Sequence, residues 1–194
     1  MNQKIYSKKY LGLLVKKINR CSWLNLNNPL YVKYHDEEWG KLNKDDKYLF
    51  EMLILEMFQG GLSWEIILNK REEFRKAFSF FDVNKIIDYK EEDIERLMNN
   101  KDIIRNKQKI KSVIINALTF KEIVEENGNF YNYLSGFTHG EIIREVEKTS
   151  SSLSLLIATE LKRRGMKYVG SKTIYSYLQG IGIINGHDEK CDFR

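Results

Sequence analysis

Residues 43–61, NKDDKYLFEMLILEMFQGG, form the stretch that decides the fold class. Its apolar side chains recur at intervals of three and four residues, the spacing that places them on one face of a helix. Asn43 and Asp45 precede the pattern and can cap the first turn. The stretch therefore predicts a helix packed against a core through Leu49, Phe50, Leu53, Ile54 and Met57.

Helical patterns continue on the C-terminal side of this stretch, and none of them is interrupted by clear strand alternation. Ser63 is a potential cap for a second helix, Gly128 a potential stop for a long one, and the serines at 150–152 a potential start for another. The sequence thus predicts an all-α fold. The further predicted helices cover residues 64–78, 91–99, about 106–127, 153–165 and 172–180.

Length and composition narrow the class of protein. The chain has 194 residues, 42% of them hydrophobic, which suits one domain or two closely packed lobes. No apolar run approaches the ~20 residues of a membrane span, so we expect no membrane partner. Two distant cysteines do not form a secreted disulfide scaffold, and we expect a reducing compartment. The net charge of +5 favours an anionic partner such as nucleic acid without establishing one.

Four potential metal ligands lie near the two ends of the chain: Cys21, His35, His187 and Cys191. Three residues separate His187 from Cys191, a spacing common among zinc ligands. A Cys2His2 set would be a closed structural site that ties the two ends together. Since neither pair has a strict zinc-finger spacing, two buried thiols and two surface imidazoles remain the alternative.

A basic, glycine-containing turn joins the last two predicted helices. Glycine lets a backbone approach a ligand closely, and a helix N-terminus presents free N–H groups to a phosphate. The segment indicates a helix-hairpin-helix that grips a DNA backbone without reading sequence. An ordinary helix connection with a solvated basic face is the alternative. The candidate DNA-backbone residues are Gly165, Lys167, Gly170, Ser171 and Lys172.

A single carboxylate, Glu56, interrupts an apolar helix face. Burial of a carboxylate is costly unless a partner satisfies it, so Glu56 either binds a ligand or is paired at the edge of the core. Aromatic rings can clamp a flipped base, and a cationic base adds a cation–π attraction. Packing in the core is the alternative for these rings. The candidate aromatic residues are Trp23, Tyr31, Tyr34, Trp39 and Trp64.

Several segments occur in an order that resembles the 3-methyladenine DNA glycosylase I family of the helix-hairpin-helix glycosylases. They are CSW, NPLY, YHDEEWG, LFEMLILE, GLSW, IIRNKQKI, LKRRGMKYVGSKTIYSYLQGIGIIN and HDEKC, between residues 20 and 191. The resemblance implies a structural Zn²⁺ held by the two cysteines and two histidines named above. It also implies a base-binding pocket made by Glu56 and the five aromatic residues.

The resemblance further implies a DNA-repair enzyme that flips out 3-methyladenine and hydrolyses its bond to the sugar. Its partners would be double-stranded DNA containing alkylated adenine and the free base as product, and we expect a monomer in the bacterial cytoplasm, associated with the nucleoid. Two alternatives stay open: a bifunctional glycosylase/lyase that uses Lys172, and a non-catalytic, zinc-organised DNA-binding module. On this interpretation residues 1–20 are an extension of unassigned role and residues 21–194 are the glycosylase domain.

This chain departs from the family pattern at three further places. Between Cys21 and His35 the spacing is one residue longer than expected, a difference in loop length rather than in ligand identity. Asp102 stands before the IIR segment where glycine is common. The family usually has Asn-Asp before the histidine of the last segment, and here Asn185-Gly186 precedes His187.

Overall fold

The computed structural model describes residues 18–194, and the regular structure in this part of the chain is helical apart from two short strands. The all-α prediction is therefore confirmed. None of the described helices is both long enough and apolar enough to cross a membrane. The helices are α1 (Pro29–Glu37), α2 (Asp46–Gln59), α3 (Trp64–Asn69), α4 (Arg71–Ala77), α5 (Val83–Ile86), α6 (Glu91–Asn99), α7 (Lys107–Asn127), α8 (Phe130–Ser135), α9 (Ser152–Arg163) and α10 (Ser171–Gly180).

Helix α2 lies at the centre of the fold. The Asp45 side chain accepts a hydrogen bond from the Tyr48 backbone N–H at 2.8 Å and caps its first turn. Every residue from 49 to 58 is buried, because α3, α7, α8 and α10 pack around the helix. A helix enclosed on all sides places its polar side chains in the core as well. The two carboxylates of this segment, Glu51 and Glu56, are therefore both buried.

Most of the predicted helix ends agree with the structure. Asn106 caps α7, and the helix ends at Gly128, whose φ of +81° suits glycine. Ser151 caps α9. The prediction of one continuous helix over residues 64–78 is wrong, because the chain turns at Lys70 and α4 starts afresh at Arg71. That turn brings Arg71 and Phe74 into the core.

Two short strands connect segments that are far apart in sequence. Strand β1 (Ile143–Arg144) pairs in parallel with β2 (Ile184–Asn185), with Ile143 opposite Ile184. The pairing fixes the loop after β1 against the segment that follows α10. Neither strand was predicted, since two residues are too few to show alternation. The predicted N-terminal extension falls mostly outside the described residues.

Gly182, between α10 and β2, is a position where only glycine fits. Its φ is +79°, and a Cβ there would overlap the backbone of Lys41 and Leu42. We expect Gly182→Ala to lower the free energy of unfolding by about 2–4 kcal/mol, since backbone strain and steric overlap add. Gly140→Ala is the matched control, because Gly140 has the same φ of +79° and no heavy atom within 4 Å of its Cβ position. If urea denaturation showed that both variants lose the same free energy of unfolding, the steric overlap at residue 182 would be contradicted.

Candidate functional site

The carboxylate and the five aromatic residues singled out in the sequence line one cavity of about 360 Å³. Helix α1 contributes Tyr31 and Tyr34, α2 contributes Glu56, and α3 begins with Trp64. The other two, Trp23 and Trp39, flank α1. A volume of this size suits a small aromatic ligand. The fold thus brings together six residues that span 42 positions of sequence.

The aromatic rings form two groups around the cavity. Trp23 packs against Tyr31 and Trp39, with ring centroids 5.5 and 4.8 Å apart. Tyr34 and Trp64 form the second group at 5.3 Å. Trp23 is 41% exposed, whereas Trp39 and Trp64 are each 9% exposed. One indole face therefore remains open at the entrance while the others form the wall.

Glu56 is a buried carboxylate without a compensating charge. It is 4% exposed, and its Oε2 has no hydrogen-bond partner among residues 18–194. Burial raises the pKa of Glu56 to about 8. Without a ligand the carboxyl group is therefore mostly protonated at neutral pH. A bound cation or hydrogen-bond donor would stabilise the ionised form.

Glu51, one turn earlier on the same helix, shows what a paired buried carboxylate looks like in this protein. It accepts hydrogen bonds from the Arg71 and Arg75 side chains, the latter at 3.0 Å. Arg71 also donates to Glu38 at 2.7 Å. Since Glu56 has no such ion pair within the described chain, the paired alternative considered for Glu56 does not hold.

The four cysteine and histidine side chains form a buried group whose donor atoms all lie within 4.8 Å of one another. His187 Nδ1 is 3.4 Å from both Cys21 Sγ and Cys191 Sγ, and Cys191 Sγ is 3.6 Å from His35 Nε2. The edges of a tetrahedral S2N2 zinc site measure about 3.3–3.8 Å, given ordinary metal–ligand bond lengths. The donor set and its spacing therefore fit a metal ion, which this group could hold.

Further hydrogen bonds orient both imidazoles toward the centre of the group. His35 Nδ1 is 2.8 Å from Asp36 Oδ1, which leaves its Nε2 facing the thiols. His187 Nε2 is 3.0 Å from the Trp39 carbonyl oxygen, which leaves its Nδ1 facing them. Such outer contacts are typical of metal-bound histidines. The Trp39 ring lies 4.6 Å from His187, so the group also supports the cavity wall.

The predicted hairpin is a turn between α9 and α10 in which Gly165 has a φ of +109°. Asn116 of α7 holds the turn, since its side chain accepts from the Lys167 N–H at 2.8 Å and donates to the Lys167 carbonyl oxygen at 3.1 Å. Gly170 precedes Ser171, the first residue of α10. Lys167 and Lys172 are exposed and have no ion pair within residues 18–194.

Sequence reasoning missed several polar residues that line the same cavity. Most of them come from the C-terminal half of the chain and from the end of α2. Only Ser176 and Gln179 are related by a helical spacing, because residues three apart lie on one face of α10. A groove beside the cavity shares Glu56, Ser176 and Gln179 with it and extends to Lys172. The groove therefore connects the cavity with the hairpin. Besides Ser22, the missed polar residues are Gln59, Glu147, Lys148, Ser176, Gln179 and Asp188.

Comparisons with known proteins point to the DNA glycosylases. The model of the methyladenine glycosylase family matches residues 23–194. Two curated relatives are similar over most of their length. "DNA-3-methyladenine glycosylase 1" of Escherichia coli (strain K12) is 40% identical over 90% of this chain and 96% of its own. "DNA-3-methyladenine glycosylase" of Haemophilus influenzae (strain Rd) is 34% identical over 89% of this chain and 96% of its own.

A solved structure extends the match to three dimensions. It is a 3-methyladenine DNA glycosylase I with a tyrosine replaced by phenylalanine, in complex with 3-methyladenine. Its TM-score is 0.86 at 29% identity, over 90% of this chain and 97% of that one. The chain belongs to the methyladenine glycosylase family, which confirms the resemblance found in the sequence. The predicted enzyme class, a DNA glycosylase that hydrolyses N-glycosyl bonds, is confirmed with it.

Proposed function

We propose that this protein flips 3-methyladenine out of alkylated double-stranded DNA and hydrolyses the bond between the base and its sugar. The observation that carries the proposal is the unpaired carboxylate of Glu56 in an aromatic cavity. Alkylation at N3 makes the base cationic, and an anionic group surrounded by rings is the complement of a flat cation. Free 3-methyladenine is the product.

The cation itself supplies much of the driving force for the reaction. An alkylated adenine is already a good leaving group, so no strong nucleophile is needed. In our proposal Trp64 stacks on the base, Tyr34 lies at its edge, and Glu56 accepts hydrogen bonds from it. Water then attacks the oxocarbenium-like sugar carbon. Unmodified adenine lacks the positive charge and gains less from this cavity, which provides the selectivity.

DNA binding is assigned to the α9–α10 hairpin. Gly165, Gly170 and Ser171 shape the turn and the start of α10, while Lys167 and Lys172 supply unpaired charge. The groove beside Lys172 leads to Glu56, so a backbone held at the hairpin lies next to the cavity that takes the base. Contacts of this kind are to phosphate and are independent of sequence.

We expect charge reversal at Lys167 or Lys172 to weaken binding to every DNA sequence alike. Each substitution removes a phosphate contact, so the slope of log K against log salt should decrease by about 1. Lys47→Glu is the control, because this exposed lysine lies at the end of α2 opposite Glu56 and the groove. Titrations of unrelated duplexes at several salt concentrations measure the effect. Unchanged binding in both variants would mean that another surface contacts the DNA.

The metal is proposed to be one structural Zn²⁺. Cys21, His35, His187 and Cys191 would hold it as a closed, four-coordinate site away from the reacting atoms. A bound Zn²⁺ supplies cross-linking of distant segments rather than chemistry. In this arrangement the ion fixes Trp23 and Trp39 through the histidines that their rings contact.

The decisive experiment for the function is incubation with methylated duplex DNA, followed by assays for the free base and for strand breaks. Release of 3-methyladenine without strand nicking supports a monofunctional glycosylase. Nicking that Lys172→Ala abolishes would support the lyase alternative. Binding without any base release would support the non-catalytic module. We further propose that residues 21–194 form one glycosylase domain of two closely packed lobes, acting as a monomer in the bacterial cytoplasm on nucleoid DNA.

A further inference from the structure

Gln179, on the last turn of α10, presents an amide to the cavity. Its side chain lines both the cavity and the adjoining groove. The backbone is anchored, because the Gln179 carbonyl oxygen accepts from the Gly40 N–H at 2.9 Å and from the Gly182 N–H at 3.2 Å. The side-chain amide, in contrast, has no hydrogen-bond partner within residues 18–194. A fixed backbone that carries an unpartnered amide at a ligand cavity is arranged to bind a ligand.

The position of this amide depends on the absence of a side chain at residue 186. A Cβ built on Gly186 would overlap Gln179 Nε2 and would lie 3.2 Å from both Gln179 Cδ and Trp39 Cη2. The backbone of Gly186 is outside the left-handed region, so alanine is compatible with its conformation. Glycine is therefore needed here for space rather than for φ. The family resemblance places aspartate at this position, so the space is a departure of this chain.

We propose that Gln179 is a further base-binding residue and that Gly186 determines where its amide lies. The proposal rests on the function given above and adds a second polar contact to the base. An ionised Glu56 can only accept hydrogen bonds, whereas an amide both donates and accepts. A purine such as adenine presents a donor amine next to an acceptor ring nitrogen. Glu56 then accepts from the amine, and Gln179 donates to the ring nitrogen.

The two residues lie on the same side of the cavity. Gly180 follows Gln179 directly, and a Cβ at Gly180 would lie 3.1 Å from Tyr34 Oη and 3.9 Å from Glu56 Oε1. The end of α10 is therefore in direct apposition to the tyrosine and the carboxylate. A base that contacts Glu56 is within reach of the neighbouring amide.

A double-mutant cycle tests the proposal, with free 3-methyladenine as the ligand and tryptophan fluorescence or calorimetry as the readout. We expect Gln179→Ala to raise Kd about tenfold, the effect of one lost hydrogen bond in a desolvated site. Gly186→Ala should raise Kd by a similar factor because it displaces the amide. The double variant should bind like Gln179→Ala alone, since no amide is left to displace.

Two further measurements separate hydrogen bonding from structural effects. Gln179→Met keeps the volume of the side chain and loses the hydrogen bonds, so it should weaken binding as Gln179→Ala does. Because Gly186 adjoins His187, zinc content and thermal midpoint are recorded for each variant, and both should match the wild type. If Gly186→Ala raised Kd by the same factor in the wild type and in Gln179→Ala, the proposed role of Gly186 would be overturned.

The outcomes also distinguish this inference from the proposed function. If Gln179→Ala bound 3-methyladenine with wild-type affinity and Glu56→Gln did not bind it, only the assignment of Gln179 would be overturned. A wild-type protein that does not bind 3-methyladenine would overturn the proposed function, and the assignment with it.

Discussion

Glu56→Gln should lower kcat/KM on methylated DNA by roughly 30- to 1000-fold while the protein stays folded. The substitution keeps the shape of the side chain and removes the charge that a cationic base needs. Loss of a charged acceptor in a desolvated pocket costs about 2–4 kcal/mol, and each 1.4 kcal/mol corresponds to a factor of ten. Release of labelled 3-methyladenine measures the effect. A variant that binds and releases the base normally would place the pocket elsewhere.

The same residue should determine the pH dependence of the reaction. Burial raises the pKa of Glu56 to about 8 in the free enzyme, and kcat/KM reports ionisations of the free enzyme. Since the ionised form binds the cation, kcat/KM should rise about tenfold per pH unit below 8 and level off above it. In Glu56→Gln this dependence should be absent. Glu51→Gln is the control on the same helix, because it breaks the pairing with Arg71 and Arg75 and should lower stability without moving the pH profile.

Ionisation of Glu56 should lower the stability of the protein, although it raises activity. Its pKa in the folded state lies above the ordinary value of 4.5, so the folded state binds the proton more tightly than the unfolded state. The stabilising contribution of the protonated group is complete below pH 4.5 and is lost as the pH rises through about 8. We therefore expect the stability advantage of Glu56→Gln over the wild type to grow between pH 5 and 9. A constant difference across that range would contradict a buried ionisation.

Removal of the proposed zinc ion should have the second large effect, this time on folding. Loss of one ligand in Cys191→Ser, or treatment with a chelator, should lower the thermal midpoint by roughly 8–16 °C. This estimate assumes that about 4 kcal/mol of unfolding free energy is lost. In a domain of this size each kcal/mol shifts the thermal midpoint by roughly 2–4 °C. Base binding should fall as well, because the Trp39 ring contacts His187 and the Trp23 ring contacts His35.

The measurement combines elemental analysis with thermal denaturation. Purified wild-type protein should contain about one zinc per chain, and Cys191→Ser much less. Chelator should destabilise the wild type and leave Cys191→Ser unchanged, since that variant has already lost the site. A metal-free wild-type protein of full stability would contradict the structural role.

The residues that carry a strong local signal could be predicted from the sequence. Glu56 stands out because a carboxylate on an apolar helix face conflicts with burial, although its assignment to a base pocket came from the family resemblance. Helix α7 is bounded by a cap and a glycine. The grouping of Cys21 and His35 with His187 and Cys191 came mainly from the family resemblance, since spacing alone left it open. The structure now places those four side chains together, independently of that resemblance.

Other features depend on packing between distant segments and leave no local signal. Gln179 lines the cavity only because the end of α10 packs on α2, more than 100 residues away in sequence. The break at Lys70 places Arg71 against Glu51, a contact with a distant segment that residues 64–78 alone do not reveal. Short helices such as α5 and α8 have four and six residues, too few to show a period.

The proposed metal site has a consequence for synthesis on the ribosome. Cys21 and His187 are 166 positions apart, and the group is complete only when Cys191 joins them. A nascent chain that ends ahead of residue 187 already contains the α9–α10 hairpin, Glu56 and His35, but it lacks Cys191 and His187, whose ring contacts Trp39. On the proposed function, a chain that terminates there would carry the turn assigned to DNA binding without the complete metal site that supports the Trp39 ring. We therefore expect base excision to begin only after translation has passed Cys191.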